Sequence, residues 1–263
     1  MKTSRQILEN YRNIGTAKCS LSAGKMVLSG AFAGLFIAFG AFGSQIVGAS
    51  VQDPGLAKLL GALVFPVGLT LVLCVGTELF TGNSLLAIPF LEKKITLGGM
   101  LKNWSLVYLG NLIGSLLMAV LAVYSNLPAM FGGNLANVMV SAAVSKCTLT
   151  FGEALMRGIL CNVLVCLAVW VSFAADEQAG KILGLYLPTM LFVLCGFEHC
   201  VANMYFIPAG MMASSHFSIA AEGVSIASFL IRNLIPVTIG NVIGGAIFVG
   251  GGFFALFGDH ERS

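Results

Sequence analysis

Long apolar stretches separated by short polar connections are the dominant pattern of this chain. Each is at least about twenty residues long, which is the length that a helix needs to cross the hydrocarbon core of a bilayer. The pattern predicts six membrane-spanning segments, at residues 26–49, 57–91, 101–124, 154–175, 182–212 and 226–257.

Two of these segments are too long to be simple helices. Residues 57–91 would extend roughly 50 Å as one helix, against a hydrocarbon core of about 30 Å. Glycine and asparagine tolerate non-helical backbone, and they cluster at 76–83 and again at 196–203. The sequence therefore predicts that the second and fifth spans are broken there. Because broken backbone at membrane depth must be buried in protein or line a cavity, both breaks point to one cavity.

The two breaks also repeat each other. Gly76, Glu78 and Asn83 recur in register as Gly196, Glu198 and Asn203, with His199 opposite Leu79 and Val201 opposite Thr81. A second match joins Leu109-Gly110-Asn111-Leu112-Ile113-Gly114 to Ile239-Gly240-Asn241-Val242-Ile243-Gly244, and a weaker one joins Gly30 to Gly158. With three spans in each half, the halves (about 26–124 and 154–257) enter the membrane from opposite sides. The predicted fold is an all-α polytopic membrane protein with a 3+3 inverted repeat and a site near the midplane.

Composition supports a membrane protein and excludes several functions. Hydrophobic residues make up 57% of 263 positions, charged residues 10%, and the mean hydropathy is +0.93. A net charge of +3 is too small and too dispersed for a nucleic-acid partner, and the seven cysteines show no metal-ligating spacing. We expect no metal, no cofactor and no enzymatic activity.

The distribution of basic residues predicts the orientation. Ten lie on the side of the termini and four on the other, which places both termini in the cytoplasm of a cell membrane. Residues 1–25 are read as a cytoplasmic segment in which Ile7, Leu8, Tyr11 and Ile14 have helical spacing. They form either an amphipathic helix on the membrane surface or a solvated tail. Residues 58, 146, 157 and 232 are the four basic positions on the far side, and 258–263 are read as a cytoplasmic tail.

His199 and Thr81 are the first candidates for chemistry. Ionisable groups at this depth are costly and mark a pathway or relay, and imidazole titrates near neutral pH. His199 therefore either protonates a weak-acid anion or is a structural imidazole bonded to backbone. Thr81 either donates to the anion or His199, or caps the half-helix that restarts near Ser84. Glu198 either holds the broken backbone or touches substrate, and its direction toward another face favours the first role. Free N–H groups of the two half-helices would favour an anion.

Phe65, Leu69 and Phe192 lie one to three turns before the breaks. They are either ordinary apolar residues or a hydrophobic gate.

Taken together, these motifs resemble the formate/nitrite transporter family over essentially the whole chain. The motifs that carry the resemblance are Glu78-Leu79-Phe80-Thr81-Gly82-Asn83, Lys146 with Phe151-Gly152-Glu153-Ala154, Gly158 to Asn162, Gly196-Phe197-Glu198-His199 with Ala202-Asn203, and the two Gly-Asn repeats. The resemblance implies a homopentamer of aquaporin-like protomers in the lipid bilayer, each with its own pore for formate, nitrite or hydrosulfide. Overall likeness favours the hydrosulfide branch.

The resemblance also assigns roles to individual residues. The central pore histidine falls on His199 and the threonine of the broken second span on Thr81. The family's basic vestibule residue falls on Lys146, and the asparagine paired with it falls on Asn162. The asparagine of the sixth span falls on Asn241. Two aromatic constrictions fall on Phe65 and Phe192, and the inner constriction falls on Leu79 with Phe80 and Val201. The residues that support the broken helices are Gly76, Glu78, Asn83, Gly196, Glu198 and Asn203.

Other functions remain open at this point. An aquaporin-like pore for neutral solutes is disfavoured because the chain has no paired Asn-Pro-Ala half-helix starts. An intramembrane enzyme using Glu198 and His199 would need a nucleophile, metal or cofactor motif, which the sequence does not show. A structural or receptor protein would have no use for the broken spans.

Overall fold

The computed structural model describes residues 1–258, which form helices and turns without a strand. In chain order the helices are α1 (Ser4–Ser20), α2 (Ala23–Ala49), α3 (Pro54–Val64), α4 (Pro66–Val75), α5 (Ala87–Leu91), α6 (Leu97–Tyr124), α7 (Asn134–Cys147), α8 (Phe151–Ala174), α9 (Gln178–Leu194), α10 (Cys200–Phe217), α11 (Ile235–Val242) and α12 (Gly252–Phe257). A 3₁₀ turn, Gly82–Leu86, precedes α5, and π-helical turns Ser228–Leu234 and Ile243–Gly251 flank α11. The predicted tail, apart from residue 258, lies outside the described residues.

Five continuous segments are long and apolar enough to cross a membrane. They are Ala23–Ala49, Pro54–Val75, Leu97–Tyr124, Phe151–Ala174 and Ser228–Phe257. The predicted fifth span is divided between α9 and α10, so the count of six spans stays a prediction. The all-helical membrane fold is confirmed.

Both predicted helix breaks occur at the predicted glycines. Helix α4 ends at Val75 and Gly76 follows with φ +81°, while α9 ends at Leu194 and Gly196 follows with φ +71°. Side chains with a Cβ rarely adopt these left-handed conformations. The chain then runs without helical structure until Gly82 in the first break and Cys200 in the second. The breaks therefore follow from local sequence.

Close helix packing repeats in the two halves. A Cβ on Gly114 of α6 would collide with the carbonyl oxygen of Ala31 in α2, and one on Gly244 with that of Ile159 in α8. Only glycine allows these backbones to approach so closely. These glycine contacts hold α2 close to α6 in the first half. In the second half they hold α8 close to the last helical segment in the equivalent way.

Helix α1 packs on the protein. Thr3 and Gln6 form a capping box at its start. Ile7, Leu8 and Tyr11 are each 3% exposed or less, and they pack in a cluster that includes Val169 of α8. The expectation that this apolar face rests on the membrane surface is therefore wrong for these three residues, because protein already covers them.

Helix α7 lies between the predicted third and fourth spans, where the hydropathy pattern predicts only a connection. Its residues are mixed in polarity, and its fourteen residues are too few to span a bilayer. It packs against α10. Helices α1 and α7 each precede the first long helix of a half, so the repeat extends upstream of the predicted boundaries at 26 and 154.

Candidate functional site

His199 lies at the second break and holds the start of α10. Its Nδ1 accepts a hydrogen bond from the backbone N–H of Ala202 at 3.0 Å. Its Nε2 lies 2.8 Å from Oγ1 of Thr81 in the other half. Because Nδ1 accepts, the neutral ring carries its proton on Nε2 and donates it to Thr81. The structural role foreseen for the imidazole is present in this geometry, and the contact with Thr81 joins the two breaks.

A narrow apolar chamber lies beside this imidazole. It is lined by Ile37, Phe65, Leu69, Leu79, Val165, Thr189, Phe192 and His199, and it is too narrow to admit a water-sized sphere. The Phe65 and Phe192 rings meet edge to face with centroids 5.5 Å apart, and Phe192 stacks on His199 at 5.8 Å. The hydroxyl of Thr189 donates to the carbonyl of Leu185. The imidazole is therefore the titratable group of the chamber lining.

Two of the predicted constriction residues lie elsewhere. Phe80 packs edge-on against Trp104 and Tyr108. Val201 is buried, and its carbonyl accepts from Ser115. Neither lines this chamber, so their place in the inner constriction stays a prediction. Thr81, fully buried, also lies outside the lining and contacts the chamber through His199.

Asparagines hold the backbone of both breaks in matching ways. Asn241 donates to the carbonyls of Gly158 and Glu198 at 2.8 and 3.0 Å and accepts from Cys200 N–H at 2.9 Å. Asn111 does the same with Gly30, Glu78 and Phe80 at 2.8, 3.0 and 2.9 Å. The N–H groups of Cys200, Ala202 and Phe80 are therefore already bonded. These three donors are therefore not free to bind an anion.

A buried ion pair lies behind each break. Lys146 Nζ contacts both oxygens of Glu198 at 3.0 and 3.1 Å, and the same carboxylate accepts from Asn203 at 2.6 Å. In the first half, Lys18 of α1 lies 2.8 Å from Glu78.

An asparagine completes each of these two clusters. Asn203 also donates to Asn233 at 2.7 Å, and in the first half Asn83 donates to Glu78 at 2.7 Å and to Asn103 at 2.8 Å. Glu78, Asn83, Glu198 and Asn203 thus support the breaks, as the sequence suggested.

Lys18, Asn103 and Asn233 were missed, although the repeat contained a signal for them. Lys18 precedes Gly30 by the same interval that separates Lys146 from Gly158, and Asn103 precedes Asn111 as Asn233 precedes Asn241. Extending the internal match upstream identifies all three.

The expected pairing of Lys146 with Asn162 is absent from the described contacts. Asn162 donates to the carbonyls of Thr81 and Asn241 and to the hydroxyl of Ser84, at 2.6–3.2 Å. It fastens the first break to the sixth-span segment instead. Spacing along the chain could not show this, because the partner of Lys146 comes from the second break.

Two wide cavities lie near the chamber. One shares Phe65 with it, and a small cavity lined by Lys18, Leu69 and Leu79 lies between the chamber and the other. The cavity that contains Lys146, Lys58 and Arg157, here called the Lys146 vestibule, has a volume of about 470 Å³ and Phe65 in its wall. The other, here called the Lys18 vestibule, has a volume of about 530 Å³ and includes Glu78 and Lys181. Among residues 1–258 no cluster of side chains has the composition of a metal site.

These features define a helical membrane protein with two broken spans around an apolar passage. Comparison with known proteins identifies the class more narrowly. The family model described as "Formate/nitrite transporter" matches residues 5–255. The chain belongs to the formate/nitrite transporter family, whose members are channels and transporters rather than enzymes.

Individual relatives are similar to this chain over most of their length. The chain is 40% identical to the uncharacterized transporter YrhG of Bacillus subtilis, over 98% of this chain and 94% of that protein. It is 38% identical to the formate channel FocA of Haemophilus influenzae, over 90% and 88%. A solved pentameric formate channel with formate bound matches with a TM-score of 0.79 and 33% identity, covering 89% of this chain and 97% of the other.

Proposed function

We propose that the protein is a channel for small monovalent weak-acid anions. Formate is the first substrate to test, because relatives are named for it, and nitrite and hydrosulfide follow. The preference for hydrosulfide drawn from overall sequence likeness remains a prediction. The observation that carries the proposal is a single imidazole in an otherwise apolar chamber, placed between two vestibules that each contain a half-buried lysine.

The chamber favours a neutral species over a bare ion. Moving an isolated carboxylate from water into an apolar environment is prohibitive, and the group neutralises instead. Apolar constrictions exclude hydrated ions for the same reason. An anion that takes up a proton crosses as a neutral acid and loses the proton again on the far side. Formate, nitrite and hydrosulfide share this weak-acid chemistry.

His199 supplies that proton only if its hydrogen bonding changes. In the described geometry the ring holds one proton, on Nε2. A second proton must go to Nδ1, which displaces the N–H of Ala202. Transfer of the Nε2 proton to the anion then gives the neutral acid and leaves a neutral ring protonated on Nδ1. The helix-capping bond to Ala202 therefore opposes protonation, by about 0.5–2 kcal/mol on the scale of other N-caps.

Replacing Ala202 by proline tests this coupling. Proline has no N–H, and the first turn of a helix tolerates it. In proteoliposomes with formate on one side, we expect the pH of half-maximal flux in Ala202→Pro to rise by about one unit. Ala202→Gly keeps the N–H and serves as the matched control. Equal midpoints in the two variants would show that His199 does not titrate through Nδ1.

The same assay separates this proposal from its rivals. A channel for weak-acid anions moves formate, nitrite or hydrosulfide with a dependence on pH. An aquaporin-like pore would instead move water or glycerol without one. Wild-type protein that conducts none of these anions would overturn the proposal.

Assembly and orientation form part of the proposal. The likeness to a pentameric channel supports a homopentamer in which each protomer has its own pore. The distribution of basic residues supports cytoplasmic termini in the cell membrane. Native mass spectrometry of the detergent-solubilised protein measures the first, and protease access to the N-terminus in oriented vesicles measures the second.

A further inference from the structure

The Lys146 vestibule contains positively charged side chains that are not part of the Lys146–Glu198 ion pair. Lys146 is compensated by Glu198. Lys58 and Arg157 line the same cavity and are exposed, and neither has a carboxylate at ion-pair distance within residues 1–258. The cavity therefore holds two cations outside any ion pair, with Glu153 one helical turn before Arg157 as its nearest acidic neighbour along α8.

Lys58 lies on the direct approach to the chamber. It shares one face of α3 with Gly61 and, at the end of that helix, Phe65, and all three line the cavity. Its ammonium is 3.9 Å from the position that a Cβ would occupy on Gly196, which places it over the second break. An anion moving from this vestibule toward Phe65 passes this charge first.

Gln45 supplies an unused donor in the same cavity. The residue is 5% exposed and its Oε1 accepts from the hydroxyl of Tyr205 at 3.1 Å. Its buried Nε2 has no hydrogen-bond acceptor in the described structure. Buried donors without an acceptor are rare and unfavourable, and a turn of the amide toward the cavity would let a ligand oxygen satisfy this one.

The combined geometry suits an anion with more than one acceptor group. The volume of about 470 Å³ greatly exceeds that of a monovalent anion of a few atoms. Two cations and one neutral donor match a planar dicarboxylate, since guanidinium and ammonium groups form their strongest hydrogen bonds with carboxylates.

We propose that Lys58, Arg157 and Gln45 form a binding site for small dicarboxylates at the mouth of the passage. A bound dicarboxylate stops transport, because it would have to neutralise both charges before passing Phe65 and Phe192. The blocking effect rests on the proposed channel function, whereas binding at the site does not.

Binding is measured directly by isothermal titration calorimetry of the detergent-solubilised protein with oxalate. We expect the double variant Lys58→Gln/Arg157→Gln to bind oxalate at least about tenfold more weakly, since the two charge-assisted contacts at these exposed side chains together contribute about a tenfold factor or more. Lys181→Gln removes a cation from the other vestibule and should leave binding within twofold. Absence of oxalate binding to the wild-type protein, or equal weakening by Lys181→Gln, overturns the site.

Gln45→Glu tests the third group separately. The new carboxylate keeps an acceptor for Tyr205 but replaces the unused donor by a negative charge, so oxalate affinity should fall at least tenfold. Affinity equal to the wild type would show that Gln45 does not face the ligand. Folding of each variant is checked by its thermal unfolding midpoint.

Transport supplies the second readout. Oxalate added on the side of the Lys146 vestibule should inhibit formate flux in proteoliposomes, and the double variant should need at least about tenfold more oxalate for half-inhibition. Oxalate binding without any formate flux in the absence of oxalate would refute the channel proposal and leave the site standing. Formate flux that persists with the site saturated would refute the block.

Discussion

Replacing Asn241 by leucine should strongly destabilise the protein, because one amide holds three backbone groups at the second break. It donates to the carbonyls of Gly158 and Glu198 and accepts from the N–H of Cys200. Asn241 itself is fully buried. Leucine has a similar size and can make none of these bonds. Asn241→Leu therefore leaves the Glu198 carbonyl and the Cys200 N–H without partners, whereas the Gly158 carbonyl keeps its bond within α8.

The magnitude follows from the number of groups left unpaired. Each of the two buried groups left without a partner costs about 1–3 kcal/mol, and the lost bond to the Gly158 carbonyl costs about 0.5–1.5 kcal/mol. Water in the Lys146 vestibule can reach part of the break, so we expect a total loss of about 3–6 kcal/mol. For a chain of this size, a loss of that order lowers Tm by about 10 °C or more.

The internal repeat supplies the matched comparison. Asn111 makes the same three bonds at the first break, so Asn111→Leu should lower Tm by a similar amount. Asn134 makes one bond, to the carbonyl of Ala49 at 2.7 Å, and is exposed. Asn134→Leu should therefore cost about 1 kcal/mol, or a few degrees.

Thermal unfolding in detergent, followed by size-exclusion chromatography of the surviving oligomer, measures all three variants under one condition. If Asn241→Leu unfolds within a few degrees of Asn134→Leu, the hydrogen bonds do not hold the break. A large difference between Asn241→Leu and Asn111→Leu would show that the two breaks are not equivalent in energy.

Three further predictions concern transport in proteoliposomes. His199→Phe should abolish the pH dependence of formate flux while leaving the oligomer intact, because the ring is the titratable group of the chamber lining; flux with the wild-type pH dependence would remove His199 from the mechanism. Phe65→Ala and Phe192→Ala, made singly, should admit acetate along with formate, because the two rings close the passage; wild-type discrimination would place the selective step elsewhere. Lys146→Glu should lower formate flux at saturating formate, and this loss should depend weakly on salt, because the new carboxylate would face Glu198 in a buried site. A loss of flux that is confined to low formate concentrations and relieved by salt would instead indicate that Lys146 attracts anions to the mouth.

The breaks and the close helix contacts could be predicted from the sequence because local chemistry decides them. Gly76 and Gly196 adopt positive φ, and Gly114 and Gly244 permit backbone contact. Each requirement is met by glycine alone, so its position in an apolar run is informative. The same residues in both halves made the prediction stronger than either half alone.

Side-chain partners were harder to predict, because they depend on how separate segments meet. Asn162 lies in the segment expected to contact Lys146, yet it fastens Thr81 to Asn241. Phe80 follows Leu79 directly and points into a different aromatic cluster. Neighbouring residues in irregular backbone have no fixed periodicity, so sequence alone does not show which one faces the passage.

The structural roles of helices α1 and α7 were not predicted, because neither helix is apolar enough to stand out in hydropathy. Both mix polar and apolar residues, and both are too short to span a membrane. Each nevertheless supplies the lysine that neutralises a buried glutamate behind a break. Without such a partner a buried carboxylate is strongly destabilising, so these helices belong to the structural unit of each half.

The two halves differ where they face the passage, and that difference produces the site. Their scaffolds agree bond for bond at Asn111 and Asn241. At the positions between, the first half has Leu79 and Thr81 where the second has His199 and Val201. A strictly symmetric chain would place either two imidazoles or none at the paired breaks, and two neighbouring imidazoles would disfavour each other's protonation. The divergence leaves one ring, bonded to the threonine of the opposite half at 2.8 Å. Duplication thus accounts for the matching backbone supports of the two breaks. The positions at which the two halves differ account for the single imidazole beside the chamber.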